Sequence, residues 1–245
     1  MNTGNIVLLD PVTHNKLGVN TTKLNSTHHQ VNRVYININE LSNLVHEYPI
    51  FINKNSVTGQ FQLNAILGFE TGENLYLQNE QWNARFIPMD LLRHPFQVIF
   101  SENNPKATGQ IAINESSELL ENIAHEKAEA IFDHNGNPSP YLLRIQKMIT
   151  QLMSGAQLSR IALQGLHQHK LLMPITLDIT LNNGAQSALE GFYGIDENAL
   201  QKLSGAALEE CHKKGYLNLC YLLLSSATHL EKLISWKSNL ITPLA

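Results

Sequence analysis

Five residues between Tyr48 and Phe96 carry the side chains best suited to recognising a partner: Glu73, Asn74, Trp82, Arg85 and Arg93. All five stand among turns, where function concentrates more than on strands. Arginine presents a planar fork that fits a carboxylate, and tryptophan adds flat contact area and an N–H. Together they would bind an anionic or peptidic group. A purely structural reading competes with this one: Trp82 would plug one end of the core, with Arg85 and Arg93 paired to Glu73 or Asp90.

Other reactive residue types lack the spacing their chemistry needs. The chain has 11 histidines. Zinc requires three or four converging ligands, and no HExxH, CxxC or facial-triad spacing occurs. His167 and His169 are two apart on an expected helix and so point away from each other. His28-His29 lies in an expected loop, and the adjacent pairs His46-Glu47 and His125-Glu126 lack a second histidine four residues on. No G-x-S-x-G elbow is present. Cys211 precedes His212 and Lys213, which would favour a thiolate, but a helical cysteine beside surface charge more often does nothing. Cys220 lies in an apolar run and reads as core. Gly68-x-x-x-Gly72-Glu73 lacks both the Lys-Ser/Thr ending of a phosphate loop and the spacing of a dinucleotide turn. No metal and no cofactor is expected.

The elements that position these residues follow from patterning. With 245 residues, 43% hydrophobic and 16% charged, the composition is that of a globular chain able to bury a core without staples. A formal net charge of −4 offers no basic field for nucleic acid. Two cysteines in a helical segment imply no disulfide framework. The start, with a short apolar run Ile6 to Leu9 and no basic flank, does not resemble a signal peptide. The apolar run Tyr216–Ala227 is interrupted by Asn218, Ser225 and Ser226 and falls short of the ~20 residues that span a bilayer. A cytoplasmic protein without a membrane span is expected.

Ile6–Leu9 reads as a strand, stopped by Asp10-Pro11, and Asn20 to Gln30 as a loop. Asn37-x-x-Glu40 is a capping box ahead of Leu41, Leu44, Val45 and Tyr48, with Pro49 as the stop. Ile50–Asn53 and Phe61–Phe69 form a hairpin, and Gly68 marks a bulge or a close backbone approach. Gly72-Glu73-Asn74 is a turn, followed by a strand over Leu75–Leu77. Phe96–Phe100 and Gly109–Asn114 form a second hairpin about Asn103-Asn104-Pro105. Ser117 is placed to cap a helix carrying Leu119, Leu120, Ile123, Ala124 and Ala128. Ser139-Pro140 starts a further helix to Leu172, with Ser154-Gly155 as a kink point. Ile175–Leu181 and Ser187–Tyr193 form a third hairpin about Asn182-Asn183-Gly184. Asp196 and Ser204 cap short helices, and a terminal helix runs from Tyr216 to about Trp236. The fold class is α+β: antiparallel β-hairpins packed against helices, with a helical C-terminal third.

The punctuation repeats. Pro49 and Pro174 lie 125 positions apart, Gly68 and Gly191 123, and Glu73 and Glu197 124, while half the chain is about 122. A near-constant offset fits a duplication of 1–125 onto 126–245 within one domain spanning 1–245. Coincidence fits too, because helix, proline, hairpin and glycine is a common succession. The second copy lacks any counterpart of the Trp82–Arg85–Arg93 segment.

An ordered set of residues resembles one family. Tyr48-Pro49-Ile50-Phe51, Ala65-Ile66-Leu67-Gly68, Gly72-Glu73-Asn74-Leu75, Trp82, Phe86-Ile87-Pro88 and Arg93-His94-Pro95-Phe96 are similar to the SapC family of bacterial proteins. So are Ile131-Phe132-Asp133 with Gly136, Leu189-Glu190-Gly191-Phe192, Ile195-Asp196, and His14 with Leu17-Gly18-Val19. Phe86 and His94 depart from the pattern, standing where tyrosine is usual. The resemblance implies a soluble protein of a family named for S-layer export or assembly. Its genes often neighbour those of flavin-dependent halogenase-like proteins, cupin-like proteins and TonB-dependent receptors. It carries no catalytic residues over. A permease subunit shares the name, but that reading needs a membrane span.

The resemblance, with no recognisable catalytic constellation, implies a non-catalytic binding or accessory protein. It would recognise a peptide, protein or small metabolite for partner enzymes or an export system, with a flavin-dependent halogenase-like or cupin-like protein as a candidate partner. One alternative is an enzyme with a cleft around Glu73, Arg85 and Arg93. The other is a structural subunit of S-layer export or assembly.

Overall fold

The computed structural model describes residues 5–23, 28–100 and 109–241. In chain order the strands are β1 Ile6–Leu8, β2 Leu17–Asn20, β3 Arg33–Ile36, β4 Ile50–Lys54, β5 Phe61–Ile66, β6 Leu77–Gln78, β7 Gln81–Trp82, β8 Phe96–Ile99, β9 Gln110–Asn114, β10 Leu120–Asn122, β11 Ala128–Ala130, β12 Leu172–Thr180 and β13 Gln186–Ile195. The helices are α1 Ile38–Leu44, α2 Met89–Leu92, α3 Pro140–Gln168, α4 Glu197–Gln201, α5 Gly205–Lys213, α6 Tyr216–Ala227 and α7 His229–Ile241. Antiparallel sheets with helices and a helical C-terminal region make the fold α+β.

The main sheet has five strands in the order β12-β13-β4-β5-β3. The two hairpins of the sequence echo thus lie side by side, with Tyr193 opposite Ile52. Only Phe192 and Tyr193 of β13 pair with β4, so the far half of the β12–β13 hairpin extends beyond its neighbour. Two smaller sheets, β1-β9-β8 and β10-β2-β11, cover a second core.

Helix α3 joins the two cores. At 1.5 Å per residue its 29 residues are about 43 Å long. Tyr141, Leu142, Ile145 and Ile149 enter the second core, and Ala162, Leu163 and Leu166 enter the main one. Its start follows from local chemistry. Ser139 Oγ accepts from Leu142 N at 3.1 Å and donates to Ala130 O at 2.6 Å, and Pro140 occupies the first turn.

Helix α3 runs through Ser154-Gly155 without a break. The glycine instead permits contact: a Cβ on Gly155 would fall 2.3 Å from Asn37 Oδ1. Asn37 is the N-cap of α1, where the expected capping box forms, with Asn37 N donating to Glu40 Oε1 at 3.1 Å. Farther along, a Cβ on Gly165 would fall 2.2 Å from the Tyr216 ring.

Residues 117–128 correct the sequence reading. Instead of a helix they form β10 and a turn leading to β11, and both strands pair with β2. The helical spacing there does not make one buried face, since Leu119 is buried and Ile123 is 42% exposed. What decides is a strand, β2, with two free edges. Gly18 admits β11 so closely that a Cβ there would lie 2.9 Å from Ala128 Cβ. The C-terminal run is two helices, α6 and α7, divided at Thr228. Ser226 and Thr228 donate to the Leu223 and Ser225 carbonyls at 2.8 Å each, competing with the helical ladder. The strand expected over Leu75–Leu77 is reduced to β6, paired with β7. The Asn103-Asn104-Pro105 turn lies outside the described residues.

Candidate functional site

The segment 73–96 folds inward on itself and onto α7. Glu73 Oε2 accepts from Phe69 N at 2.7 Å and Glu70 N at 3.2 Å, and its other oxygen pairs with Lys237 on α7. Gly68 allows this turn to close, since a Cβ there would lie 2.6 Å from the Glu73 carbonyl. Asn74 donates to His29 O at 2.6 Å and accepts from Tyr76 N at 3.0 Å. Trp82 Nε1 donates to Tyr48 Oη at 2.7 Å. Glu47 holds the backbone that follows, accepting from Arg85 N at 2.8 Å and Phe86 N at 3.3 Å. Lys232 lies 5.0 Å from the ring centres of both Tyr76 and Trp236 and donates to the Glu47 carbonyl. Burial, only partly offset by Glu47, lowers its pKa.

Arg93 Nε donates to Asp90 Oδ1 at 2.6 Å, and Nη1 to Phe96 O at 2.8 Å. The exposed Arg85 guanidinium sits 5.3 Å from the Phe86 ring. Among the described residues, Glu73, Arg85 and Arg93 therefore each have separate neighbours: Lys237, the Phe86 ring and Asp90. Of the five expected residues, Arg93 borders a cavity.

Three cavities lie in succession along a flank of α3, each sharing lining residues with the next, and together mark out a groove. A cavity of about 300 Å³ is bounded by Arg93, Asp90 and Gln97. It shares Tyr35, Met153 and Ala156 with a second of about 230 Å³. The second shares Gln60, Phe61 and Arg160 with a third of about 320 Å³, which adds Lys54, Gln164 and His167. The Phe61 ring lines the third, 5.1 Å from the His167 ring and 5.7 Å from Lys54 Nζ. Burial, reinforced by Asp90 and Glu40, pushes the Tyr35 phenol up to about 12, so it stays protonated at neutral pH. A smaller apolar cavity, about 170 Å³, sits between α6 and the sheet, against Ile52, Ile175 and Leu223.

The sequence reading missed Lys54, Phe61 and Arg160, yet one signal was present. The 29 residues of α3 contain Arg144, Lys147, Arg160 and His167 and no aspartate or glutamate. Among the histidines, His46, His125, His134 and His212 are exposed. His167 faces the groove, whereas His169 packs near Tyr216 and lies 3.5 Å from Glu210. His28 and His94 stack with centres 4.4 Å apart and planes 6° from parallel. His94, at the position where tyrosine was expected, thus still supplies a flat ring. Burial, with Arg93 and the neighbouring histidines adding to it, pushes His94 down to about 3. Burial also takes His29 down to about 4. Among the described residues no group of three or more His, Cys, Asp or Glu is placed to hold a metal ion. Cys211 and Cys220 are both buried, and desolvation raises both thiols, Cys220 to about 12. No described helix is long and apolar enough to cross a membrane.

Comparison with protein-family models matches residues 9–233 to SapC. No curated protein and no solved structure matches the chain.

Proposed function

The chain belongs to the SapC family, and from that premise we propose that it is a non-catalytic binding protein. It recognises a peptide or protein in the cytoplasm on behalf of partner enzymes or an export system. The observation that carries this reading is the row of three adjoining cavities on α3, running from Arg93 past Tyr35 to Phe61 and His167. Binding sites are concave, with apolar walls and a few placed polar groups. The groove has Met153, Ala156 and Phe61 as apolar wall, with Tyr35, Gln60 and Arg160 among them.

Arg93 belongs to this site at one end. Glu73, Asn74 and Trp82 act on it indirectly, by holding the 73–96 segment to Lys237 of α7, the His29 carbonyl and Tyr48, while Arg85 contributes only the backbone amide that Glu47 holds. The separation of Glu73, Arg85 and Arg93 favours binding over a reaction in a cleft built from these three.

The test is affinity capture from the native host, read by mass spectrometry, with wild type, Arg93→Ala and Ala156→Trp. Ala156 lies where two of the cavities meet, so the indole fills the groove. Partners enriched by wild type and lost with both variants, at unchanged melting temperature, are expected. Undiminished capture by Ala156→Trp overturns the groove as the site. Turnover by the purified chain alone, abolished by one polar substitution, overturns the non-catalytic reading.

A further inference from the structure

The geometry points to an acidic peptide in extended conformation as the ligand of the α3 groove, with its carboxylates held at the Lys54–Arg160 end. This deepens the reading of the groove as the binding site and rests on it.

The first argument is charge. The chain carries a formal net charge of −4, yet α3 has two arginines, a lysine and no acid. The two cavities nearest Phe61 are lined by Lys54 and Arg160 and by no carboxylate. Among the described residues neither cation forms an ion pair with an acid. Arg160 Nη2 donates to the neutral Gln157 Oε1 at 2.8 Å, and Lys54 lies over the Phe61 ring. Elsewhere on α3, Arg144 is paired with Glu129. Among the described residues lining the opposite end of the groove, Asp90 is the one acid, and it is paired with Arg93. A local positive field within an acidic molecule selects for negative ligands and speeds their arrival.

The second argument is shape. The α3 residues lining the groove run from Ile149 to His167. At 1.5 Å per residue that is about 27 Å of helix axis. An extended chain rising ~3.3 Å per residue covers the same length with about eight residues. A small dicarboxylate would occupy only the Lys54–Arg160 end. The wall holds both polar and apolar groups, Gln60 and Gln157 as well as Phe61 and Met153. Backbone amides of an extended ligand can bond the former while alternate side chains rest on the latter.

The test uses a fluorescein-labelled octapeptide alternating glutamate with alanine, followed by fluorescence anisotropy on the full chain. Saturable binding is expected, weakened at least tenfold by Lys54→Glu with Arg160→Glu and severalfold by 0.5 M salt. Lys147→Glu changes the charge of α3 equally but lies off the groove, and should leave binding within twofold. A lysine–alanine octapeptide that binds as tightly overturns the charge inference and leaves the groove reading standing. Equal damage from Lys147→Glu and Arg160→Glu overturns the placement at Lys54–Arg160. Free glutarate competing as well as the octapeptide overturns the peptide in favour of a small dicarboxylate. Absence of binding by the glutamate peptide overturns the inference outright, and capture with Ala156→Trp then decides the groove reading separately.

Discussion

Trp82 Nε1 donates to the Tyr48 hydroxyl at 2.7 Å, and that hydroxyl donates onward to the Phe86 carbonyl at 2.5 Å. Two residues 34 positions apart thereby lock the 73–96 segment to the end of α1. Tyr48→Phe removes both bonds and leaves a donor and an acceptor unsatisfied in a half-buried site. We expect a loss of about 1–3 kcal/mol in urea unfolding with an unchanged m-value. Octapeptide binding should be unaffected, since neither residue borders the groove.

Glu73 is expected to act as scaffold. Glu73→Ala releases the Phe69 and Glu70 amides and removes one of the two carboxylates paired with Lys237, leaving Glu70, at a cost of about 1–2 kcal/mol. Hydrogen exchange should report faster opening of α7. Unchanged stability combined with lost partner capture would instead make Glu73 a ligand contact.

Acid should destabilise the fold through the histidines. In the folded state His94 and His29 are held near 3 and 4, below the ordinary value of 6.5. The unfolded chain therefore binds more protons between those values and 6.5, and stability falls as pH drops through that window. Glu40, pushed by burial up to about 6, works in the opposite sense between about 4.5 and 6. Two depressed histidines outweigh one raised carboxyl. We expect a net loss of about 2 kcal/mol from pH 7 to pH 5. His94→Phe, which keeps a flat ring against His28, should flatten the dependence. A melting temperature constant over this range would refute it.

Gly155→Ala and Gly165→Ala should destabilise, although alanine favours helix by about 1 kcal/mol. The added methyl meets Asn37 in the first case and the buried Tyr216 ring in the second. Overpacking of this kind costs about 1–3 kcal/mol. Thermal melts of both variants below wild type are the expected result.

Cys211 and Cys220 should resist thiol reagents in the native protein and react together on unfolding. Both side chains are buried, and their pKa values are raised by desolvation. Mass-spectrometric counting of alkylated thiols across a urea titration checks this. Rapid labelling of Cys211 without denaturant would contradict it.

Local chemistry was legible wherever it was self-contained. The Asn37–Glu40 capping box, Ser139-Pro140, the Asp196 cap and the β4–β5 and β12–β13 hairpins all rest on residues within a few positions of one another. The family, too, was readable from ordered punctuation. Residues 117–128 were not, because their helical spacing is overridden by pairing with β2, about a hundred positions away. Arg33–Ile36 alternates as a strand should, yet only pairing with β5 identifies it. The site divided the same way. Side-chain type singled out Glu73, Trp82 and Arg93, but Lys237, Tyr48 and Asp90 determine what each does, and two of those partners are distant in sequence. The groove belongs wholly to tertiary structure. Lys54 and Arg160 are more than a hundred positions apart and meet only because α3 crosses β5. The sequence determined that α3 would be basic and unbroken by acids. Packing decided that this face would border a groove, because a concave wall exists only once helix and sheet are laid together.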